Sequence, residues 1–329
     1  MTNEKEGKVG KRNVLSREGY LRQLAESGER LNICLTNDYA FHKIFKNLVV
    51  AKGFIMALLN LREDQIESLE IIDPIEEGES EEEKEGILDI KLHLNDGQRI
   101  NIEMQNRYQE DWAERSLWYT CRMFAEGLKR GQPYSELEPC IHVSVLDFVQ
   151  MKSPGFHHLI QPLDRETGEL YSSKFNIHVI ELKKLEEATE KERMEKMELY
   201  RWARLIAAKS WEEVCMEAEG NEYMEAAKEE MEKINQDRKE RWIYLRKEMA
   251  KIDETSRRMS AQHEGERIGE ARGEARGIKM GVKRGEEFFA QLTGKLIEQS
   301  RMEDLKKATE NEAFRQELYK EFGIGEDSD

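Results

Sequence analysis

The sequence predicts an α/β fold: a small mixed sheet flanked by helices, followed by a long helical extension. Three patterns carry this. Residues 86–107 alternate like the two arms of a β-hairpin. Two more strand-like segments, 141–149 and 174–181, lie beyond a helical segment at 111–130. From Leu185 onward the pattern is helical and strongly charged.

Residues 1–30 are polar and weakly periodic, which predicts a mobile arm, and residues 31–184 are expected to form the α/β domain. Thr36-Asn37-Asp38 reads as a helix start with Thr36 or Asn37 as cap, and Phe41, Ile44, Phe45, Leu48 and Val49 follow at helical spacing. Asp38, in the first turn, suits the helix dipole. A second helix is expected over Gly53–Leu61 and a strand over Ile66–Asp73. Glu76–Glu85 is nearly all acidic and reads as a solvated loop.

In the hairpin, Leu88, Ile90, Leu92 and Leu94 alternate with Asp89, Lys91, His93 and Asn95, and Ile100, Ile102 and Met104 alternate with Asn101, Glu103 and Gln105. If both apolar sets face the core, the register puts Leu92 opposite Ile100 and Ile90 opposite Ile102. Asn95-Asp96-Gly97 is then a three-residue turn with Gly97 in the left-handed position. This register sets Asp89 opposite Glu103, with Gln105 and Lys91 on the same face. Opposed carboxylates across a strand pair repel. Two readings follow: a solvated polar face, or a site where Asp89 and Glu103 bind a hard divalent cation such as Mg²⁺ or Mn²⁺.

Beyond the hairpin, the helix over Asp111–Arg130 carries Trp112, Leu117, Trp118, Phe124 and Leu128 at apolar positions, and Arg115 and Arg122 two turns apart on one side. Those arginines read either as solvating charges or as a phosphate clamp. Ile141–Val149 and Lys174–Glu181 are strands. His142, His157, His158 and His178 have no zinc-ligand spacing, so a zinc site is not expected. Residues 185–263 form a charged helical region in which Trp202, Leu205, Ile206 and Trp211 suggest bundle packing. In 264–287, glycine recurs every fourth residue from Gly265 to Gly285, with Glu266, Glu270 and Glu274 along one edge and Arg272, Arg276 and Arg284 along the other. Each interior glycine costs a helix about 1 kcal/mol against alanine. The stripe is therefore either a loose linker or a surface on which another helix packs, making a homo-oligomer through the tail. Residues 288–329 are expected to add one or two terminal helices.

The chain has 329 residues, of which 36% are charged, and a net charge of −16. That balance argues against broad nucleic-acid affinity and requires any DNA contact to come from a local patch. Four widely spaced cysteines, Cys34, Cys121, Cys140 and Cys215, read as reduced, mostly buried thiols of a cytoplasmic protein. No apolar run is long enough to span a membrane.

Leu88-Asp89-Ile90, then Asp96-Gly97, then Asn101-Ile102-Glu103-Met104-Gln105 together resemble the PD-(D/E)xK nuclease superfamily, and in particular its Rpn-type branch of recombination-promoting nucleases and transposases. Asn37-Asp38-Tyr39-Ala40-Phe41, Ile44-Phe45, Arg115, Tyr119, Gly131-Gln132-Pro133-Tyr134 and Glu181-Leu182-Lys183 agree, so the resemblance spans about residues 31 to 290. It departs at Gln105, where the superfamily has lysine, and in lacking a proline before Asp89. The resemblance implies a restriction-endonuclease-like core and Mg²⁺- or Mn²⁺-dependent hydrolysis of DNA phosphodiesters, linked to recombination or transposition. By the same resemblance Asp89 and Glu103 are metal ligands, Gln105 orients water, Asp38 is an active-site acid on the first helix, and Lys91 is a candidate for the missing positive charge. The alternative is a nuclease-like scaffold, weak or inactive in catalysis, that binds DNA or protein through its helical tail.

Overall fold

In the computed structural model, residues 16–66, 68–72, 90–94 and 97–325 are described. The chain divides into two units, residues 1–251 and 252–329.

The first unit is built on strands β1 (Leu69–Ile72), β2 (Ile90–Leu94), β3 (Arg99–Gln105), β4 (Cys140–Leu146), β5 (His157–Ile160) and β6 (Phe175–Glu181), ordered β1-β2-β3-β4-β6-β5. The central strands β3, β4 and β6 are parallel, and the pairs β1–β2, β2–β3 and β5–β6 are antiparallel. The β2–β3 register is the expected one, with Ile90 opposite Ile102 and Leu92 opposite Ile100. Leu94 N donates to the Gln98 carbonyl at 2.9 Å, and Gly97, at φ +81°, takes the left-handed position. Asp89, the Asn95-Asp96 part of the turn, the acidic segment 76–85 and residues 1–15 lie outside the described residues.

The two sheet faces are covered differently. Ile90, Leu92, Ile100, Ile102, Met104, Val143, Val145 and Ile180 enter the main core, which also holds residues of α2 (Asp38–Phe45), α3 (Leu48–Leu59), α6 (Met197–Ala207), α7 (Trp211–Ala218) and α8 (Glu222–Gln236). Phe41 stacks on Phe45, whose ring meets Phe54 and Trp202. The charged region after Leu185 therefore completes the sheet's own core: Leu199, Trp202, Leu205, Ile206, Met224, Met231 and Ile234 are all buried in it. On the opposite face α4 (Trp112–Glu126) lays Trp112 into a cluster with Leu146, Phe148, Ile177 and Val179. That face also buries Asn101, Glu103, His142 and Ser144. One helix thus covers a face that is partly oil and partly polar, and the polar part is where a site can form.

Several boundaries differ from expectation. Asn37 caps α2, accepting from Ala40 N, as its sequence suggests. α3 begins at Leu48 rather than Gly53, because the Asn47 side chain accepts from Val49 N and caps it there. β5 has no clear sequence signal, being short and only half-buried. The expected arm contains α1 (Arg17–Glu26), with Leu21 and Ala25 buried. It is held by Arg241, only 3% exposed, whose guanidinium donates to the carbonyls of Leu24 and Ala25 at 2.8 Å and so satisfies acceptors that the end of α1 leaves open. Of the four free cysteines only Cys140 is fully buried, while Cys121 is exposed and Cys34 and Cys215 are intermediate, which corrects the expectation of mostly buried thiols.

Helix α9 (Arg238–Glu298) continues through the glycine repeat without a break, so the fraying its glycines suggest is not found. No two of these glycines are adjacent, and three residues in four of the repeat are ordinary helix formers. Ion pairs such as Arg267–Glu264 and Lys283–Glu287 add support at helical spacing. In the second unit the end of α9 packs with α10 (Met302–Glu310) and α11 (Glu312–Glu321) around Leu292, Leu296, Ala308, Leu318 and Ile324.

Candidate functional site

Open α/β sheets bind ligands beyond the carboxyl ends of their parallel strands. Here those ends are Gln105, Leu146 and Glu181, side by side in register. Two acids reach the β3 end from different elements. Glu103 lies on β3 and is 2% exposed. Asp38 opens α2, and Asn106, the residue after β3, donates from Nδ2 to its Oδ1 at 2.9 Å and to the Thr36 carbonyl at 3.0 Å. Burial pushes the Asp38 carboxyl above its usual range, with Arg107, Lys251 and Lys247 opposing the shift in that order. Asn37 explains why the start of α9 is close by: its Nδ2 donates to Glu248 Oε1 at 2.7 Å, and Lys247 and Lys251 flank Glu248 on that helix.

Glu103 belongs to a closed ring of hydrogen bonds. Gln105 Nε2 donates to Glu103 Oε1 at 2.7 Å. Gln109 Nε2 donates to Gln105 Oε1 at 3.2 Å. Arg115 Nη1 donates to Gln109 Oε1 at 3.0 Å, and Arg115 Nη2 closes the ring on Glu103 Oε1 at 3.3 Å. The Arg115 guanidinium also lies over the Trp112 and Tyr119 rings, and its Nε donates to the Tyr119 hydroxyl. Arg122, by contrast, is exposed and pairs with Glu126 on its own helix. Lys91 occupies the register position opposite Asn101 and is exposed. Arg115 lies within ion-pair distance of Glu103.

Behind the ring, Asn101 Nδ2 donates to His142 Nδ1, so His142 Nε2 carries the proton and donates to Ser144 Oγ at 3.0 Å. Burial, with Arg115 as a smaller cause, pushes the His142 imidazole down to about 3 and keeps it neutral. At the β6 end, Glu181 accepts from Met151 N and His158 Nε2 and pairs with Lys184, whose ammonium donates to the carbonyls of Met151 and Ser153. This buried cluster pins the loop after β4 to the sheet.

The structure joins Glu103 and Gln105 of the expected set by a hydrogen bond, ties Asp38 to Asn106 just past the same strand, and sets Lys91 on the surface; Asp89 lies outside the described residues. It adds Asn106, Gln109 and Arg107. Asn106 sits next to the Glu-x-Gln motif, but nothing in its type or spacing marks it. Gln109 lies beyond the strand, where period-two reasoning stops. Glu103 and the amide oxygens of Gln105 and Gln109 beside it are hard oxygens of the kind that suit Mg²⁺ or Mn²⁺. Among the described residues there is no group of three or more His, Cys, Asp or Glu side chains that could hold a metal ion. Among the described residues, no helix is long and apolar enough to cross a membrane.

Comparison with known families gives one match: the model for PD-(D/E)XK nuclease family transposases aligns with residues 35–261, which include α2, the sheet and the helices that close its core. No curated protein and no solved structure matches. A buried Glu-x-Gln strand end, an acid delivered by the first helix of the matched region and a family match over more than half of the sequence agree, and the chain belongs to the PD-(D/E)XK nuclease family transposases, a nuclease-like group tied to recombination or transposition.

Proposed function

We propose that the chain is a divalent-metal-dependent DNA endonuclease of the cytoplasm, acting in recombination or transposition. The observation that carries this reading is the buried Glu103, bonded by Gln105 at the carboxyl end of the parallel strands, with Asp38 fastened to Asn106 just beyond the same strand. Glu103, together with Asp89, would hold Mg²⁺ or Mn²⁺. Bound there, the cation would polarise a phosphoryl oxygen and make water more acidic. Gln105 fixes Glu103 through Nε2 and orients polar groups at the strand end. Asp38, with its raised carboxyl, is suited to take a proton from the attacking water while Asn106 holds its Oδ1. The basic groups near Asp38, namely Arg107, Lys247 and Lys251, give an acidic chain the local patch that DNA requires.

The test is nicking of supercoiled plasmid with Mg²⁺ or Mn²⁺, against a chelator control and the Glu103→Gln variant. Metal-dependent nicking that Glu103→Gln abolishes, with thermal unfolding retained, supports the reading. The Arg115–Glu103 ion pair favours a second reading, a scaffold whose carboxylate is already neutralised. DNA binding without metal-dependent nicking would select it.

A further inference from the structure

The proposed reaction leaves one requirement unmet on β3. A phosphodiester is anionic and gathers more charge as water attacks. The superfamily meets that with a lysine, where this chain has Gln105, a hydrogen-bonding but uncharged side chain. We propose that Arg115 supplies the positive charge: its guanidinium releases Glu103 and binds the phosphate group of the DNA strand at this site. The inference rests on the endonuclease reading and assigns a residue that the strand motif does not contain.

Four observations carry it. First, Arg115 Nη2 is 3.3 Å from Glu103 Oε1, the same oxygen that Gln105 engages at 2.7 Å, so the charge stands where a lysine at position 105 would bring it. Second, the ion pair is single-pronged and uses the longest contact of the ring. An arginine held for structure alone would be expected to grip a carboxylate with both prongs, a geometry that it also offers to phosphate. Third, the half-buried guanidinium lies over two ring faces, Trp112 at 5.5 Å and Tyr119 at 5.3 Å, and is held through Nε to Tyr119 and Nη1 to Gln109, so it stays seated at the strand end when its Nη2 contact to Glu103 is exchanged for phosphate. Fourth, two other candidates sit elsewhere: Lys91 is exposed opposite Asn101, and Arg122 is exposed beside Glu126, while Arg107 acts on Asp38. A cation on Glu103 would take over the charge compensation that Arg115 now gives and free the guanidinium for phosphate.

The alternative role is plain: Arg115 ties α4 to the sheet. Moving the charge separates the two. The proteins compared are the full chain, Arg115→Met, Arg115→Lys and the double variant Arg115→Met/Gln105→Lys, each first checked by thermal unfolding. Plasmid nicking at saturating DNA should fall about 100-fold in Arg115→Met, the scale of losing one charge-stabilising donor, and stay within about tenfold of wild type in Arg115→Lys. The double variant should recover at least about tenfold, because the charge is restored from the strand. A second readout needs neither metal nor turnover: affinity for a short duplex in chelator across a salt series, where Arg115→Met should flatten the salt slope by about one. If Arg115→Met does not fold, Arg115→Gln replaces it, keeping hydrogen-bonding capacity without charge. Wild-type nicking in Arg115→Met, or equal loss in the single and double variants with an unchanged salt slope, overturns the proposal. If the wild-type chain nicks no DNA, the endonuclease reading fails, and the salt-slope comparison still decides whether Arg115 meets phosphate.

Discussion

Asn106 Nδ2 lies 2.9 Å from Asp38 Oδ1 and 3.0 Å from the Thr36 carbonyl, so one side chain fastens the start of α2 to the end of β3. An acid at a helix start is ordinarily a surface feature that helps the dipole. Here that acid is carried to a strand end and partly buried, and its carboxyl rises above the normal range because burial outweighs Arg107 and the two lysines.

This yields a stability–activity contrast. A carboxyl whose folded value is raised contributes its stability below the unfolded value of about 4 and loses it as pH climbs through the raised folded value. At neutral pH Asp38 is therefore a cost. Asp38→Asn, which keeps an acceptor for Asn106, should raise stability in urea unfolding at pH 7, while nicking falls at least about 100-fold. A variant that is destabilised, or that nicks normally, contradicts the assignment of Asp38 to the site.

Gly53 makes a different kind of prediction. It lies in the middle of α3, and a Cβ built there would overlap Cβ and Cγ of Tyr223 on α8 and crowd Trp202. The obstacle is the root of a side chain, which cannot swing aside. Gly53→Ala should cost about 2–3 kcal/mol, as overpacking does, despite alanine's better helix propensity; Tyr223→Gly, which removes the clashing Cβ, should recover part of that loss, whereas Tyr223→Ala, which keeps it, should recover little. Chemical denaturation of the single variants and the two doubles measures it.

Gly53 also shows where reading the sequence reached its limit. The chain says that there is a helix here and that glycine is costly inside one, so a start at Gly53 is the natural inference; only α8, distant in sequence, explains a glycine at mid-helix. The β2–β3 register was legible because Leu92, Ile100 and their neighbours allow only one pairing that buries both sets. Glu103 and Gln105 were legible for the same reason. Arg115 was legible as a candidate phosphate clamp, but its place in a ring with Gln109 was not, since a ring that joins strand, loop and helix has no period. α1 was invisible because its retention depends on Arg241, more than two hundred residues away.

His142 gives a pH signature. Its imidazole titrates at about 3 in the folded chain against 6.5 as the reference value, burial being the main cause. A histidine depressed in this way contributes stability above 6.5 and loses it as pH falls from there toward 3, because the unfolded chain takes up the proton first. At about 1.36 kcal/mol per unit, the loss is about 2 kcal/mol by pH 5. His142→Gln removes the titration and should lose about 2 kcal/mol less between pH 7 and pH 5 than wild type does. Urea unfolding at both pH values gives the comparison. Equal pH dependence in the two proteins would show that His142 is not held neutral by burial.

The glycine stripe of α9 invites the last test. Among the described residues, no atom apart from the helix's own backbone and the glycine's chain neighbours comes within 4 Å of a Cβ built at Gly265, Gly269, Gly273, Gly277, Gly281 or Gly285, so nothing among them requires their smallness. Their cost in helix propensity is about 1 kcal/mol each and is uncompensated there. Gly269→Ala/Gly273→Ala/Gly277→Ala should therefore strengthen the helix by up to about 3 kcal/mol. Circular dichroism should then show the 222 nm signal surviving to higher temperature. The glutamates on one edge and arginines on the other give the stripe charges that an antiparallel second copy could pair, and such a copy would be pushed away by three new methyl groups. Light scattering on the same variant reads that directly. A tighter helix at unchanged mass means that the glycines serve no packing role, whereas a fall in mass to the monomer means that a second chain sits on the stripe and that its close approach is what the glycines are for.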